Sequence, residues 1–478
     1  MESIVAPFNC LSDFYFGFDS ANAIITEWSI QTGIAMDQLR YVLCLFLVYP
    51  LALIYRNIPS TTFKHTADVI VGVLIAQLVL QFAWIHSFIT STITYLLLCT
   101  LPPAYAPICV FIFNFSYLSG SHLYRLYVDY MGWTLDFTGP QMLLTMKLTS
   151  LAFNYSDGKQ SQKEGKSSDK VIASRQQFAI QKLPTPLQFY GYVYNFTTFL
   201  AGPAFEFREY LDTTTEIRFR HKNVTRVPSN AFAVARKCAV GVTCMALYAR
   251  FASLFPISNF YSDEIASMPI LAHLWTLYVT LLFVKIKYYG AWKVAEGAAV
   301  LANFGFQGFH EDGSPRGWDG IDNMDILGFE LSPSIRQALR AWNKGTQNWL
   351  ERYVYSRTNN SLIATYFVSA FWHGFYPGYY LFFLSLPLAT TVNRLAYKRI
   401  RPHFVDGKLQ SIKWMYDLSG TFVSVMGMLY FVIPFQTMSL TYAIIAWRNL
   451  YFVGHILCVI LLVVYSFIPV PRRVVKDI

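Results

Sequence analysis

Apolar residues gather in long blocks along this chain, and the polar ones fall mainly in the gaps between them. The blocks cover residues 41–55, 69–90, 92–101, 104–120, 189–201, 232–255, 269–284, 362–391, 414–435 and 441–468. They read as helices, because a chain crossing lipid must satisfy its own backbone polar groups. Several fall short of the ~20 residues that a perpendicular crossing needs, and Pro102 and Pro103 separate two of them. The longest, such as 441–468, leave room for a break or a re-entrant turn. Together they predict an all-α, polytopic membrane protein of about ten or eleven transmembrane helices wrapped around an internal cavity.

One stretch has a different period. Between residues 335 and 355, Leu339, Trp342, Thr346, Trp349 and Tyr353 recur at intervals of three and four, which predicts an amphipathic helix with an aromatic stripe. The polar, glycine-rich residues 316–328 before it read as a loop. After it comes the uncharged stretch 361–372, which ends on His373; Gly374, Pro377 and Gly378 then predict an opened or kinked helix.

Composition agrees with a membrane body. Of 478 residues, 54% are hydrophobic, 17% aromatic and only 14% charged, and the mean hydropathy is +0.35, beyond the apolar content of soluble domains. The formal charge of +10 is spread over loops between the apolar blocks. It forms no aromatic-interleaved basic stripe, so nucleic acid is not the expected partner. Residues 1–35 carry Glu2, Asp13, Asp19 and Glu27 and no Lys or Arg, unlike a secretory or transit peptide. Targeting then rests on the internal spans, most simply at the endoplasmic reticulum membrane. Arg56, Lys64 and His65 follow the first clear block, which by the positive-inside rule places the amino-terminal tail in the lumen. Residues 157–182 are rich in Lys and read as a flexible, polar cytosolic linker inside a single membrane domain spanning 1–478. The seven cysteines include no CxxC pair, so neither a zinc site nor a disulfide framework is expected.

Asn343 and His373 are the candidate chemical groups, since a polar side chain in or near lipid is costly unless packed, paired or used. Two readings stay open for each. Asn343 either bonds a neighbouring loop or cap, or serves a reaction. His373 either donates one hydrogen bond across helices, or accepts a proton as a general base, for which burial favours the neutral form. The stripe of Trp342, Thr346, Trp349 and Tyr353, with Lys344 and Trp372, is either packing or a substrate wall. There is no G-x-S-x-G elbow, H-E-x-x-H pair or P-loop to suggest a protein nucleophile or a metal. A transporter would also have many spans, but internal repeats and several intramembrane charges are not evident.

The polar words and their order carry a resemblance. Trp342-Asn343 and Trp372-His373-Gly374 are accompanied by Asp136-Phe137-Thr138-Gly139, Met142, Lys147, the run 151–158, Phe199-Leu200-Ala201-Gly202-Pro203 and Ala295-Glu296-Gly297. Trp318-Asp319, Asp325-Ile326-Leu327-Gly328, Trp349-Leu350 and Tyr353-Val354-Tyr355 complete the set. In these, over most of its length, the chain resembles the membrane-bound O-acyltransferases, in particular their lysophospholipid acyltransferase branch. The resemblance implies a multi-span helical fold enclosing a reaction chamber, with His373 as base and Asn343 as the residue that positions or polarises the reacting groups. It implies acyl-CoA as co-substrate, a lysophospholipid drawn from the bilayer as acceptor, and no cofactor. A protein, sterol or diacylglycerol acceptor would keep the same two residues, and oligomeric state stays open.

Overall fold

The computed structural model describes residues 18–132, 134–164, 175–221, 227–405, 407 and 409–470. Among these the chain is helical apart from its connections, with an antiparallel bridge between Phe309 and Pro315. Its principal helices begin with α1 (Asp19–Thr32), α2 (Met36–Tyr55), α3 (Thr61–Leu80), α4 (Ile85–Thr100), α5 (Ala106–Val128), α6 (Thr138–Glu164), α7 (Pro186–Val193), α8 (Phe207–Thr214), α9 (Ala231–Phe251) and α10 (Ile270–Leu301). Then follow α11 (Ile326–Glu330), α12 (Ile335–Ala341), α13 (Lys344–Trp349), α14 (Leu362–His373), α15 (Pro377–Arg399), α16 (Lys413–Thr437), α17 (Leu440–Asn449) and α18 (Val453–Phe467).

Five helical segments among the described residues are long and apolar enough to cross a membrane, or six if α17 and α18, bent by 70°, count as one. One of the five runs from Thr61 to Thr100, 40 residues. At ~1.5 Å per residue that is about twice the hydrocarbon thickness. A 3₁₀ turn at Gln81–Trp84 divides it into α3 and α4, so the block expected at 69–90 is two helices. The block expected at 189–201 forms no helix of spanning length. Only α7 is helical there; residues 191–200 are buried throughout, and from 194 on their backbone is irregular. Packed protein surrounds this segment where a span would meet lipid. The linker expected at 157–182 begins as helix, since α6 runs through Glu164; residues 165–174 lie outside the described set, as do Glu2 and Asp13.

The chain divides into two compact units, Met1–Cys244 with Gly290–Asn323, and Met245–Tyr289 with Met324–Ile478. In the first unit, polar side chains are buried and satisfy one another. Asp68, fully buried, accepts hydrogen bonds from Tyr55, Tyr210 and Asn195, each at 2.8 Å. Lys147 on α6 donates to the Tyr192 carbonyl at 2.5 Å and lies over the Tyr192 ring. Asn154 donates to Glu206 at 2.8 Å. Glu296, also fully buried, is bound by Lys237 at 3.1 Å, Lys293 at 2.6 Å and the Asn323 N–H at 2.8 Å, and Lys237 also meets Asp322. Removing one member would leave an uncompensated charge in a dry interior. The words around Lys147, Asn154 and Glu296 are thus, in this unit, the interlocking polar part of a core.

Candidate active site

Both candidate residues lie in the second unit, and each sits where a helix stops. The continuous amphipathic helix expected over 335–355 is broken at Trp342-Asn343. Ser334 caps α12 by accepting the Gln337 N–H; α12 ends at Ala341, Trp342 is extended (φ −90°, ψ 131°), and Asn343 is left-handed (φ 43°, ψ 57°). That conformation costs an ordinary L-residue roughly 1–2 kcal/mol, and Asn is one of the few that visits it readily. Aromatic packing holds the break in place. The Trp342 ring lies 5.9 Å from Tyr288, 6.0 Å from Tyr289 and 5.2 Å from Phe329, centroid to centroid. The Asp325 N–H donates to the Ala341 carbonyl at 3.0 Å. Apolar period alone could not foretell the break, because partners some fifty residues earlier in the chain draw Trp342 out of the helix.

After the break α13 carries the stripe onward. The Thr346 hydroxyl, buried, donates to the Asn343 side-chain carbonyl at 3.0 Å. This fixes the accepting end of the amide and makes its NH₂ the end with protons to give. Lys344 flanks the turn, half-buried. Trp349 is buried and faces Trp372 at 6.3 Å, so the stripe and the histidine-bearing helix meet here. Tyr353 is buried, with the Arg352 and Arg357 guanidinium carbons each 5.7 Å from its ring. Trp349 and Leu350 pass into a π-turn at Leu350–Val354, a local widening often found at functional sites.

His373 is the last residue of α14. Gly374 follows at φ 121°, ψ −161°, a conformation only glycine adopts without strain, and Pro377 opens α15 at its first position. The helix therefore ends as the Gly-Pro-Gly spacing predicts. His373 Nδ1 lies 2.7 Å from the Ser369 carbonyl oxygen one turn back. A carbonyl can only accept, so Nδ1 carries the hydrogen and the lone pair of the neutral ring is on Nε2. Rings enclose the imidazole: Trp372 at 4.6 Å, Phe383 at 5.0 Å, Phe435 at 5.1 Å and Tyr379 at 5.9 Å. Phe435 comes from α16, which approaches α15 so closely that a Cβ on Gly378 would stand 2.0 Å from the Pro434 carbonyl oxygen. The Gly378 N–H donates to the Met438 carbonyl at 2.9 Å.

Of the eight residues singled out from sequence, the structure links Asn343 with Thr346, links Trp349 with Trp372 and His373, and sets Trp342 and Tyr353 in aromatic packing. Sequence reasoning missed the Ser369 carbonyl, which no side-chain pattern reveals. It also missed Lys285 and Glu330. A lysine just past the apolar block 269–284 was the available signal, since α10 continues through it to Leu301.

The sequence profile of the membrane-bound O-acyltransferase family matches residues 122–439. Among curated proteins, the chain is similar to a lysophospholipid acyltransferase of Schizosaccharomyces pombe, 31% identical over 91% of this chain and 87% of the relative. It is also similar to membrane-bound glycerophospholipid O-acyltransferase 2 of Rattus norvegicus, at 30% identity over 95% of this chain and 89% of the relative. A further relative is lysophospholipid acyltransferase 6 of Drosophila melanogaster, 28% identical over 93% of this chain and 63% of the relative.

Proposed function

The chain belongs to the membrane-bound O-acyltransferase family and is an acyltransferase, and on that premise we propose that it esterifies lysophospholipids with the acyl group of acyl-CoA, using His373 and Asn343. The acceptor class follows the names of its relatives. The observation that carries the residue assignment is the bond from His373 Nδ1 to the Ser369 carbonyl, which makes Nε2 the proton-accepting nitrogen.

In the proposed reaction Nε2 takes the proton from the free glycerol hydroxyl of the lysophospholipid as its oxygen attacks the thioester carbonyl carbon. The Asn343 amide donates to the oxygen that becomes negative. Collapse of this intermediate breaks the C–S bond, and the imidazolium returns the proton to the departing sulfur, so the products are phospholipid and coenzyme A thiol. Proton transfer by a positioned base contributes ~10²–10⁴-fold, and one oxyanion donor ~10²–10³-fold. The balance closes without a protein nucleophile, metal or cofactor.

A multi-pass membrane location is supported by the family and by the five apolar spans. We place it in the endoplasmic reticulum membrane, and retain the count of ten or eleven crossings. The 23-residue helices α5 and α15 and the division between α3 and α4 support that larger count. The test is to incubate purified protein in lipid nanodiscs with labelled acyl-CoA and a panel of lysophospholipids, a sterol, diacylglycerol and a peptide. The expected result is coenzyme A release and label transfer with lysophospholipid. Transfer only to another acceptor would overturn the substrate class.

A further inference from the structure

The turn that presents Asn343 is held from behind by an ion pair that plays no part in the proposed chemistry. Lys285, on α10, is buried, and its ammonium donates to both carboxylate oxygens of Glu330 at 2.6 and 2.8 Å. The Tyr289 hydroxyl, one helical turn on from Lys285, donates to the same carboxylate at 2.7 Å. Glu330 ends α11, whose start is fixed by Asp325 accepting the Gly328 N–H at 2.9 Å. Phe329 stands beside Glu330 in sequence, and the Lys285 ammonium lies 5.4 Å from its ring.

These groups converge on one side chain. Two of the three rings around Trp342 are Phe329 and Tyr289, and Glu330 anchors both, one through the adjoining backbone and the other through its hydroxyl. The third, Tyr288, is on the same helix as Lys285. Trp342 precedes Asn343, and its extended backbone starts the turn. The carboxylate's negative charge and two oxygens let it join a lysine and a phenol from one helix to the end of another. No single neutral side chain of this size makes that junction with three donated bonds.

We infer that Glu330, tied to Lys285 and Tyr289, is a positioning residue for acyl transfer: it fixes the aromatic socket of Trp342 and thereby the left-handed Asn343 turn. The inference rests on the proposed role of Asn343. Loosening the socket displaces the amide without removing it, and displacements of about an ångström at a reacting centre lower rates by up to ~10²-fold. The effect falls on kcat, because substrate-binding groups elsewhere are untouched.

The experiment compares Glu330→Gln, the charge-free pair Lys285→Met with Glu330→Gln, and each of these combined with Asn343→Ala. All are assayed in nanodiscs for kcat, for KM toward acyl-CoA and lysophospholipid, and for thermal midpoint. The paired variant leaves no buried lysine without its counter-charge, so it reports on positioning even if the single variant unfolds. The expected result is a fall in kcat of about tenfold or more, with both KM values within about twofold and the paired variant's midpoint close to wild type. No further loss is expected when Asn343→Ala is already present. A paired variant with wild-type kcat, a loss that tracks the midpoint, or a full additional loss on top of Asn343→Ala overturns the inference while leaving the Asn343 assignment standing. Wild-type kcat in Asn343→Ala alone overturns the underlying assignment.

Discussion

The polar network of the first unit and the two candidate residues of the second are held in different ways. In the first, buried carboxylates are surrounded by donors: Asp68 receives three hydrogen bonds, and Glu296 is bound by two lysines and a backbone N–H. In the second, Asn343 and His373 are each oriented at one end by a short local bond, to Thr346 and to the Ser369 carbonyl, at the termini of broken helices and among aromatic rings. A carboxylate bonded on all sides contributes to the fold and has nothing to give a substrate. A side chain fixed by such a bond has a defined orientation. The carboxylates Asp68 and Glu296, like Glu330 in the second unit, therefore serve architecture, while Asn343 and His373, on the proposed reading, serve catalysis.

Substitutions can break this contrast. The largest effect is expected for His373→Ala, which should lower turnover by ~10²–10⁴-fold while thermal unfolding in nanodiscs stays near wild type. Next is Glu296→Ala in the first unit, which leaves Lys237 and Lys293, two buried cations, with Asp322 as the carboxylate they still share. It should cost about 3–5 kcal/mol of stability, read as a large drop in the thermal midpoint and in folded yield. If Glu296→Ala folded normally and merely lost activity, the contrast between the units would fail.

Smaller effects sharpen it. Gly378→Ala forces a methyl against the Pro434 carbonyl and should cost about 1–3 kcal/mol through overpacking. It should also reduce turnover by pushing Phe435 away from His373, an effect separable by assaying well below the unfolding temperature. Thr346→Val removes the hydroxyl that holds the Asn343 carbonyl, a bond worth about 1 kcal/mol. A several-fold fall in kcat with unchanged acyl-CoA binding is expected, and an unchanged kcat would show that the amide needs no such tether.

The sequence made some of this legible and hid the rest for identifiable reasons. Apolar blocks announced an all-helical membrane protein, and Gly374, Pro377 and Gly378 announced the end of α14, because glycine and proline act locally on the backbone. The break at Trp342-Asn343 was hidden, since Asn343 interrupts no apolar period and its left-handed turn is stabilised by Tyr288, Tyr289 and Phe329. The segment 189–201 looked like a span because a buried protein core and a lipid-facing helix draw on the same apolar residues. Asn195 was the discordant letter in it, and its partner Asp68 lies 127 residues away. Asn343 and His373 stood out as polar groups in apolar surroundings, but that Trp349 meets Trp372 could be seen only in three dimensions.

The central claim is that His373 is a base held in one tautomer, and nitrogen NMR of the protein carrying labelled histidine tests it most directly. The signal of His373, identified by its loss in His373→Ala, is expected to show a protonated Nδ1 and an unprotonated Nε2, with Nε2 the nitrogen that shifts when lysophospholipid is added. A resting ring protonated on Nε2 and bare on Nδ1 would contradict the account.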